Sequence, residues 1–305
     1  MKQKIITCES LTHRYGDAHI LRGLSFSIDA GKIYGILGPN GSGKTTLFNI
    51  LTTSMFPSGG TFHFSGLDAL KNLNALRKQI GVVFQTPSLD KKLTVYENLY
   101  YQASLYGMSG PSLDEKIEKT LEQFSLTDRK HTIVEKLSGG LARRAEIAKA
   151  ILHDPKILLL DEPSSSLDPV ARIELWNALK NLQTEGKTIL LTTHTLDEAD
   201  LCDELMIMHE GKIVAQNSPE RLKAQILHKV VFIKSSVPEE MKRKLEQEQG
   251  LEVFNQSNLL RVEIPRDSTL IADWMTRYST LIQELTYRLP TLEDVFIHFT
   301  GAKFF

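Results

Sequence analysis

Apolar and polar positions alternate in short runs from residue 1 to about 30, punctuated by Gly16, Gly23 and Gly31, which predicts antiparallel strands. Residues 32–37 read as a short apolar strand. A glycine-rich turn follows, and then a segment of helical period at 45–53. From about 87 to 153 the pattern is helical, with a Tyr-rich stretch at 96–106 and a Leu-rich one at 113–124. Two unbroken apolar runs, 157–160 and 188–192, flank a helical stretch at about 170–183. Strands apolar on both faces fit a parallel sheet covered on both sides, and the strand–turn–helix order is that of an α/β protein.

After Ser218-Pro219 the pattern turns to α+β without glycine-rich turns, so a domain boundary is placed near 218. Residues 238–249 predict an exposed helix: Met241 and Leu245 form its apolar stripe, and Glu239/Arg243 and Glu240/Lys244 stand at ion-pair spacing. Near the end, Leu292, Val295, Phe296 and Phe299 recur at helical spacing behind Thr291 and Asp294, which are spaced as a capping box. The closing Lys303-Phe304-Phe305 leaves two aromatics at the terminus.

A length of 305 residues, 41% of them hydrophobic and 24% charged, suits about two domains with a sizeable core. The 36 basic and 37 acidic residues nearly cancel, and the region from Pro219 onward carries twelve of each, so no nucleic-acid partner is expected. The longest run free of Asp, Glu, Lys and Arg, 45–67, contains Asn49, Pro57, His63 and three glycines, a poor membrane span. Met1-Lys2-Gln3-Lys4 lacks the apolar stretch of a secretion signal, and Cys8 and Cys202 show neither disulfide nor metal spacing. The expected setting is cytoplasmic, with any membrane role reached through a partner.

Candidate chemistry begins at Gly38-Pro39-Asn40-Gly41-Ser42-Gly43-Lys44-Thr45, between a predicted strand and a predicted helix. Glycines there let backbone N–H groups curl around a phosphate chain, and the helix start adds about half a positive charge. Lys44 would bridge the β- and γ-phosphates of ATP, Thr45 would place its hydroxyl on Mg²⁺, and Thr46 extends the cradle. The apolar run 157–160 ends in Asp161 and Glu162, at the sheet edge where α/β proteins bind ligands. Asp161 would support Mg²⁺ and Glu162 would polarise the attacking water. Ser138, Gly139 and Gly140 open a second helix, with Ser138 as N-cap and an apolar face of Leu141, Ala145, Ala148 and Leu152, a second helix start suited to an anion.

These motifs, in this order over residues 7 to about 218, resemble the ATP-binding subunits of ABC transporters. The resemblance implies a P-loop α/β fold with a mixed, largely parallel sheet, an N-terminal antiparallel β subdomain, a helical subdomain at about 87–153 and a small C-terminal α+β domain at 219–305. It also implies a stacking role on adenine for Tyr15, and for Gln85 a place beside Mg²⁺ and the attacking water, facing the membrane partner. By the same resemblance Ser138–Gly140 close over ATP held by the opposite subunit of a head-to-tail homodimer. Asp168 communicates across that dimer, and His194 contacts the γ-phosphate. Leu141 stands where many members have Gln, and Ser166 where Gly is usual, which bears on rate and dimer geometry.

The Pro290–Phe296 ending is similar to that of the daunorubicin-resistance type, whose partner is a separate small permease. The implied role is an Mg²⁺-dependent ATPase, peripheral on the cytoplasmic face of the cell membrane, driving a transmembrane permease in export. The C-terminal domain is expected to supply contacts and no chemistry. The alternative is a soluble ATPase of the same family acting on nucleic acid or the ribosome. Tandem nucleotide domains or a long coiled coil would favour it, and this chain has one phosphate loop and no sustained heptads.

Overall fold

The computed structural model describes residues 4–226, 228–256 and 259–302, so Lys303-Phe304-Phe305 lies outside the described residues. The chain divides into two compact units, one ending at Ser218 and the other beginning at Pro219.

The first unit opens with the hairpin β1 (Lys4–Tyr15) and β2 (Ala18–Asp29), turning at Gly16 with φ of 55°. Gly23 does not separate two strands. It sits inside β2 at φ 80°, where the pairing slips between Leu11↔Leu24 and Thr12↔Arg22: a bulge, which a residue without Cβ makes easily. The chain continues through β3 (Ile33–Leu37), α1 (Lys44–Leu51), β4 (Gly59–Phe64), β5 (Leu67–Asp68), α2 (Leu73–Arg77) and β6 (Ile80–Val83). Next come the helices α3 (Val95–Leu105), α4 (Pro111–Gln123) and α5 (Gly139–Ile151), with two 3₁₀ turns before α5. The unit ends with β7 (Ile157–Asp161), α6 (Pro169–Thr184), β8 (Thr188–Thr193), α7 (Leu196–Asp200), β9 (Glu204–His209) and β10 (Lys212–Asn217).

An antiparallel sheet of order β2-β1-β4-β5 accompanies a six-stranded sheet of order β10-β9-β3-β8-β7-β6, parallel except for β10. Every residue of β3, β7 and β8 is buried, as unbroken apolar runs require. Leu47, Phe48, Ile50 and Leu51 of α1 join one core with residues of both sheets. Each fully buried side chain of that kind contributes roughly 1.5–3 kcal/mol. Pairing of Leu37 with Thr193 and of Asp161 with Thr192 brings the C-terminal ends of β3, β7 and β8 side by side, and the functional residues follow those ends.

The second unit comprises α8 (Pro219–Ala224), β11 (His228–Ser235), α9 (Pro238–Gln249), β12 (Val253–Gln256), β13 (Leu259–Pro265), α10 (Leu270–Arg277), β14 (Ile282–Arg288) and α11 (Leu292–Thr300). Its sheet is antiparallel, in order β12-β13-β11-β14. Met241 and Leu245 of α9 pack on its core beside Val231, Ile233, Val262 and Trp274. Of the predicted surface pairs on α9, Glu240–Lys244 forms at 3.8 Å, whereas Glu239 accepts a hydrogen bond from Asn255. In α11, Leu292, Val295 and Phe296 are buried, Phe299 is half-buried, and the Thr291/Asp294 capping box is formed.

Candidate functional site

Between β3 and α1 the loop closes tightly. A Cβ on Gly38 would stand 2.4 Å from the Met208 carbonyl, so no side chain fits there. Gly43 reaches φ 102° and launches α1 at Lys44, with no acidic residue in the helix's first turn to occupy its free amides. Lys44 is 4% exposed, and its Nζ donates to the carbonyls of Gly38 at 2.7 Å and Pro39 at 3.1 Å. Burial lowers its pKa, while the carboxylates of Glu162 and Asp161 pull it back up.

The opposite wall comes from β7 and β8. Asp161 is 4% exposed and accepts from the Thr192 hydroxyl at 2.5 Å. The same hydroxyl accepts from the Glu162 N–H at 2.9 Å, so one threonine fixes both acids. Burial raises the Asp161 pKa; the Thr192 bond opposes that, as do Lys44 and Arg143, while Glu162 adds to it. Glu162 has φ 42°, a conformation side-chain-bearing residues adopt rarely. Its carboxylate takes a hydrogen bond from Gln85 Nε2 at 3.0 Å, and His194 Nδ1 stands 3.2 Å from the other oxygen without hydrogen-bond alignment.

These walls enclose a cleft of about 550 Å³. Asn40, Gly41, Gly43, Lys44, Thr45 and Thr46 of the β3–α1 loop and helix start line it, together with Gln85, Glu162, Ser165 and His194, and with Tyr15 and Ile20 of the N-terminal hairpin. Tyr15 is 51% exposed; His13 meets its ring edge-on at 4.8 Å and its hydroxyl donates to Met55 Sδ at 3.4 Å, so a held aromatic face remains open to a flat ring. Gly38, Pro39 and Ser42 shape the loop without lining the cleft.

Besides Gly38, Pro39, Ser42 and the buried Asp161, four more predicted residues do not line this cleft. Ser138 caps α5, accepting from Leu141 N at 3.4 Å, and Asp168 caps α6, accepting from Ala171 N at 2.9 Å. Gly140 packs so closely on α6 that an added Cβ would stand 2.6 Å from the Ala171 Cβ, while Gly139 has open space. Another cavity, of about 280 Å³, lies wholly in the second unit, and its Arg261 pairs with Glu263 at 2.6 Å and stands 3.7 Å from Asp294. Its charges answer one another within the unit.

Thr45 and Gln85 line the cleft and Asp161 ends the buried strand before Glu162; their oxygens are hard donors that would suit Mg²⁺, an ion bound through one or two carboxylates with phosphates and water. Among the described residues no group of three or more His, Cys, Asp or Glu is placed to hold a metal alone, so phosphate would have to complete such a site. Thr192 and Ser165 escaped the sequence reading: a threonine inside a strand and a serine among serines carry no chemical signature by themselves.

The family model described as "ABC transporter" matches residues 21–165. Nod factor export ATP-binding protein I of Burkholderia lata is 35% identical across 98% of this chain and 97% of its own length. Daunorubicin resistance ATP-binding protein DrrA3 of Streptomyces coeruleorubidus is 32% identical across 99% of this chain and 97% of its own. Among solved structures, the ADP conformation of MJ1267, an ATP-binding cassette of an ABC transporter, superposes with a TM-score of 0.66 at 30% identity, covering 72% of this chain and 92% of that one. The cbiO1 protein from Clostridium perfringens, part of an ABC transporter complex, gives 0.67 at 30% identity over 82% and 97%. The chain belongs to the ABC transporter family, as an ATP-binding and ATP-hydrolysing subunit of the exporter type, the kind that acts with a separate membrane permease.

Proposed function

We propose that this subunit binds Mg-ATP in the cleft, closes as a head-to-tail homodimer and hydrolyses ATP in two sites shared between the copies. The observation that carries this reading is the placement of Glu162: it directly follows a fully buried strand, its carboxylate accepts from Gln85 at 3.0 Å with His194 at 3.2 Å, and it lines one cleft with Lys44. Tyr15 stacks the adenine, while Lys44 and the first amides of α1 hold the β- and γ-phosphates. Thr45, Asp161 and Gln85 hold Mg²⁺, which when bound neutralises developing charge on the phosphate oxygens. Glu162 accepts the proton of the attacking water, and His194 steadies the γ-phosphate side.

Ser138, Gly139 and Gly140 head a helix with no acidic residue in its first turn and lie outside their own chain's cleft, which fits service to the ATP of the second copy. Asp168, capping α6 beside that helix, sits at the same dimer face. The helical segment offers the permease an apolar surface on α3, with Tyr101 57% and Leu105 82% exposed. Among the described residues no helix is long and apolar enough to cross a membrane. In this reading the subunit works at the cytoplasmic face through the permease, in export. The unit from Pro219 contributes contacts, and its even charge offers nothing specific to nucleic acid.

Glu162→Gln tests the assignment. ATP binding is expected to stay within about threefold, turnover to fall by about 10²–10⁴, and ATP to trap a dimer visible by size exclusion. Turnover near the wild-type rate removes Glu162 from the role of base.

A further inference from the structure

Two charged residues that the sequence reading passed over are among the most buried in the first unit: Arg143, 8% exposed, and Glu146, 3% exposed, both on α5. They pair at 2.8 Å, and their remaining bonds leave the helix. Arg143 Nε donates to the Pro163 carbonyl at 2.8 Å, Nη2 to the Asp161 carbonyl at 3.0 Å, and Nη1 to the Phe84 carbonyl at 2.7 Å. Glu146 accepts from the Ser88 N–H. The planar five-donor fork of arginine is thus spent almost wholly on backbone.

The targets fall in a pattern. Asp161 and Pro163 flank Glu162 on either side, and Phe84 and Ser88 bracket the loop that carries Gln85. Glu162 itself holds φ 42°, a conformation that persists only where the surroundings over-determine it. Thr192 secures its N–H, and Arg143 secures the carbonyls before and after it. The two loops pinned by the Arg143–Glu146 pair are those whose side chains meet in the Gln85–Glu162 hydrogen bond.

We propose that Arg143, braced by Glu146, is a positioning residue that fixes the Gln85–Glu162 pair in its working geometry. It touches no substrate atom and acts through the backbone of the two loops. The proposal rests on Glu162 as base, and displacement of a reacting group by about 1 Å can cost on the order of 10² in rate.

Arg143→Lys keeps the charge but offers a single ammonium to four acceptors. Its kcat should fall at least tenfold while affinity for a fluorescent ATP analogue stays within about threefold. In the Glu162→Gln background the same substitution should cost less than about threefold more, because its target is already lost; an effect that multiplies in full marks general loosening of the fold and overturns the proposal. Wild-type kcat in folded Arg143→Lys also overturns it, whatever Glu162→Gln does, whereas wild-type turnover in Glu162→Gln overturns the base assignment instead. If Arg143→Lys does not fold, Glu146→Gln decides. It keeps the acceptor for Ser88 and loses the charged brace, and a kcat reduced threefold or more at unchanged affinity is expected, wild-type kcat being the refuting result.

Discussion

Each unit buries an aspartate, and the two are held in opposite ways. Asp161 in the first unit is 4% exposed and Asp294 in the second 8%. At Asp294 burial opposes ionisation, but Arg288 reaches both carboxylate oxygens and the Thr291 N–H and hydroxyl add two more bonds, so its pKa is held below the usual range. At Asp161 burial dominates, one hydroxyl is the side-chain donor, and the pKa is pushed up. A carboxylate whose charge is answered within the fold builds structure. One whose charge is left under-answered at the end of a buried strand, next to a cleft-lining residue, is set for a cationic ligand, and the same physics that destabilises it there makes it useful.

The largest effect expected from this contrast is that of Asp161→Asn. Amide oxygen still accepts from Thr192, but the negative charge that supports Mg²⁺ is gone, so turnover should drop by about 10² or more and require higher Mg²⁺. Binding of the ATP analogue without divalent ion should change little. Thermal stability should stay level or rise, because an under-compensated buried charge has been removed. ATPase titrations against Mg²⁺ and a melting curve measure all three, and a marked loss of stability would break the comparison.

The opposite sign is expected at Asp294→Asn. Arg288 loses its charged partner and α11 its capping carboxylate, a cost of about 2 kcal/mol. Trp274, fully buried in that unit, reports its unfolding once Trp176 is replaced by Phe. Acid sharpens the contrast. Because the Asp294 pKa is lowered on folding, its stabilisation is complete above the unfolded value near 3.8 and fades as pH falls through the folded value. Asp161, raised on folding, works the other way: its cost is incurred as pH rises from that unfolded value through the folded one, so acid relieves it. Asp294→Asn should flatten the acid limb of the Trp274 transition; an unchanged limb would place the pH sensitivity elsewhere.

The sequence carries this difference unevenly. The phosphate loop and the Asp161-Glu162 pair are readable because local spacing alone defines them, a strand, a turn and a helix each within about ten residues. The Thr291/Asp294 cap is readable for the same reason. Arg143 and Glu146 are not: on the helical pattern they are two charges among Leu141, Ala145 and Ala148, and only the tertiary approach of the Phe84 and Pro163 carbonyls buries them. Their one local signal is the ion-pair spacing of a helix whose other face is apolar. β6 and the β9–β10 hairpin also went unmarked. β6 is four residues long, and the hairpin turns on Glu210 and Gly211, both at positive φ, where the usual Asn-Gly or Asp-Gly signal is missing. The placement of Ser138 as a cap was legible, whereas the close approach of Gly140 to Ala171 of α6 is a tertiary contact that no local spacing announces.

The smallest effect isolates burial as the variable. Glu240 and Lys244 on α9 form an ion pair at 3.8 Å, with side chains 47% and 34% exposed. Glutamate precedes lysine by four residues, the favourable order on a helix. Solvent screens both charges, however, and ordering two long side chains costs entropy, so the net contribution is about 0.3–0.5 kcal/mol. Glu240→Gln should lower the Trp274 transition by that amount at low salt and by nothing measurable near 1 M salt, where the screening length falls to about 3 Å. The Arg288–Asp294 pair, on a carboxylate 8% exposed, should keep most of its effect at the same salt. Equal salt sensitivity for the two substitutions would show that Asp294 is screened like a surface group, and the contrast with Asp161 would then have to rest on geometry instead of burial.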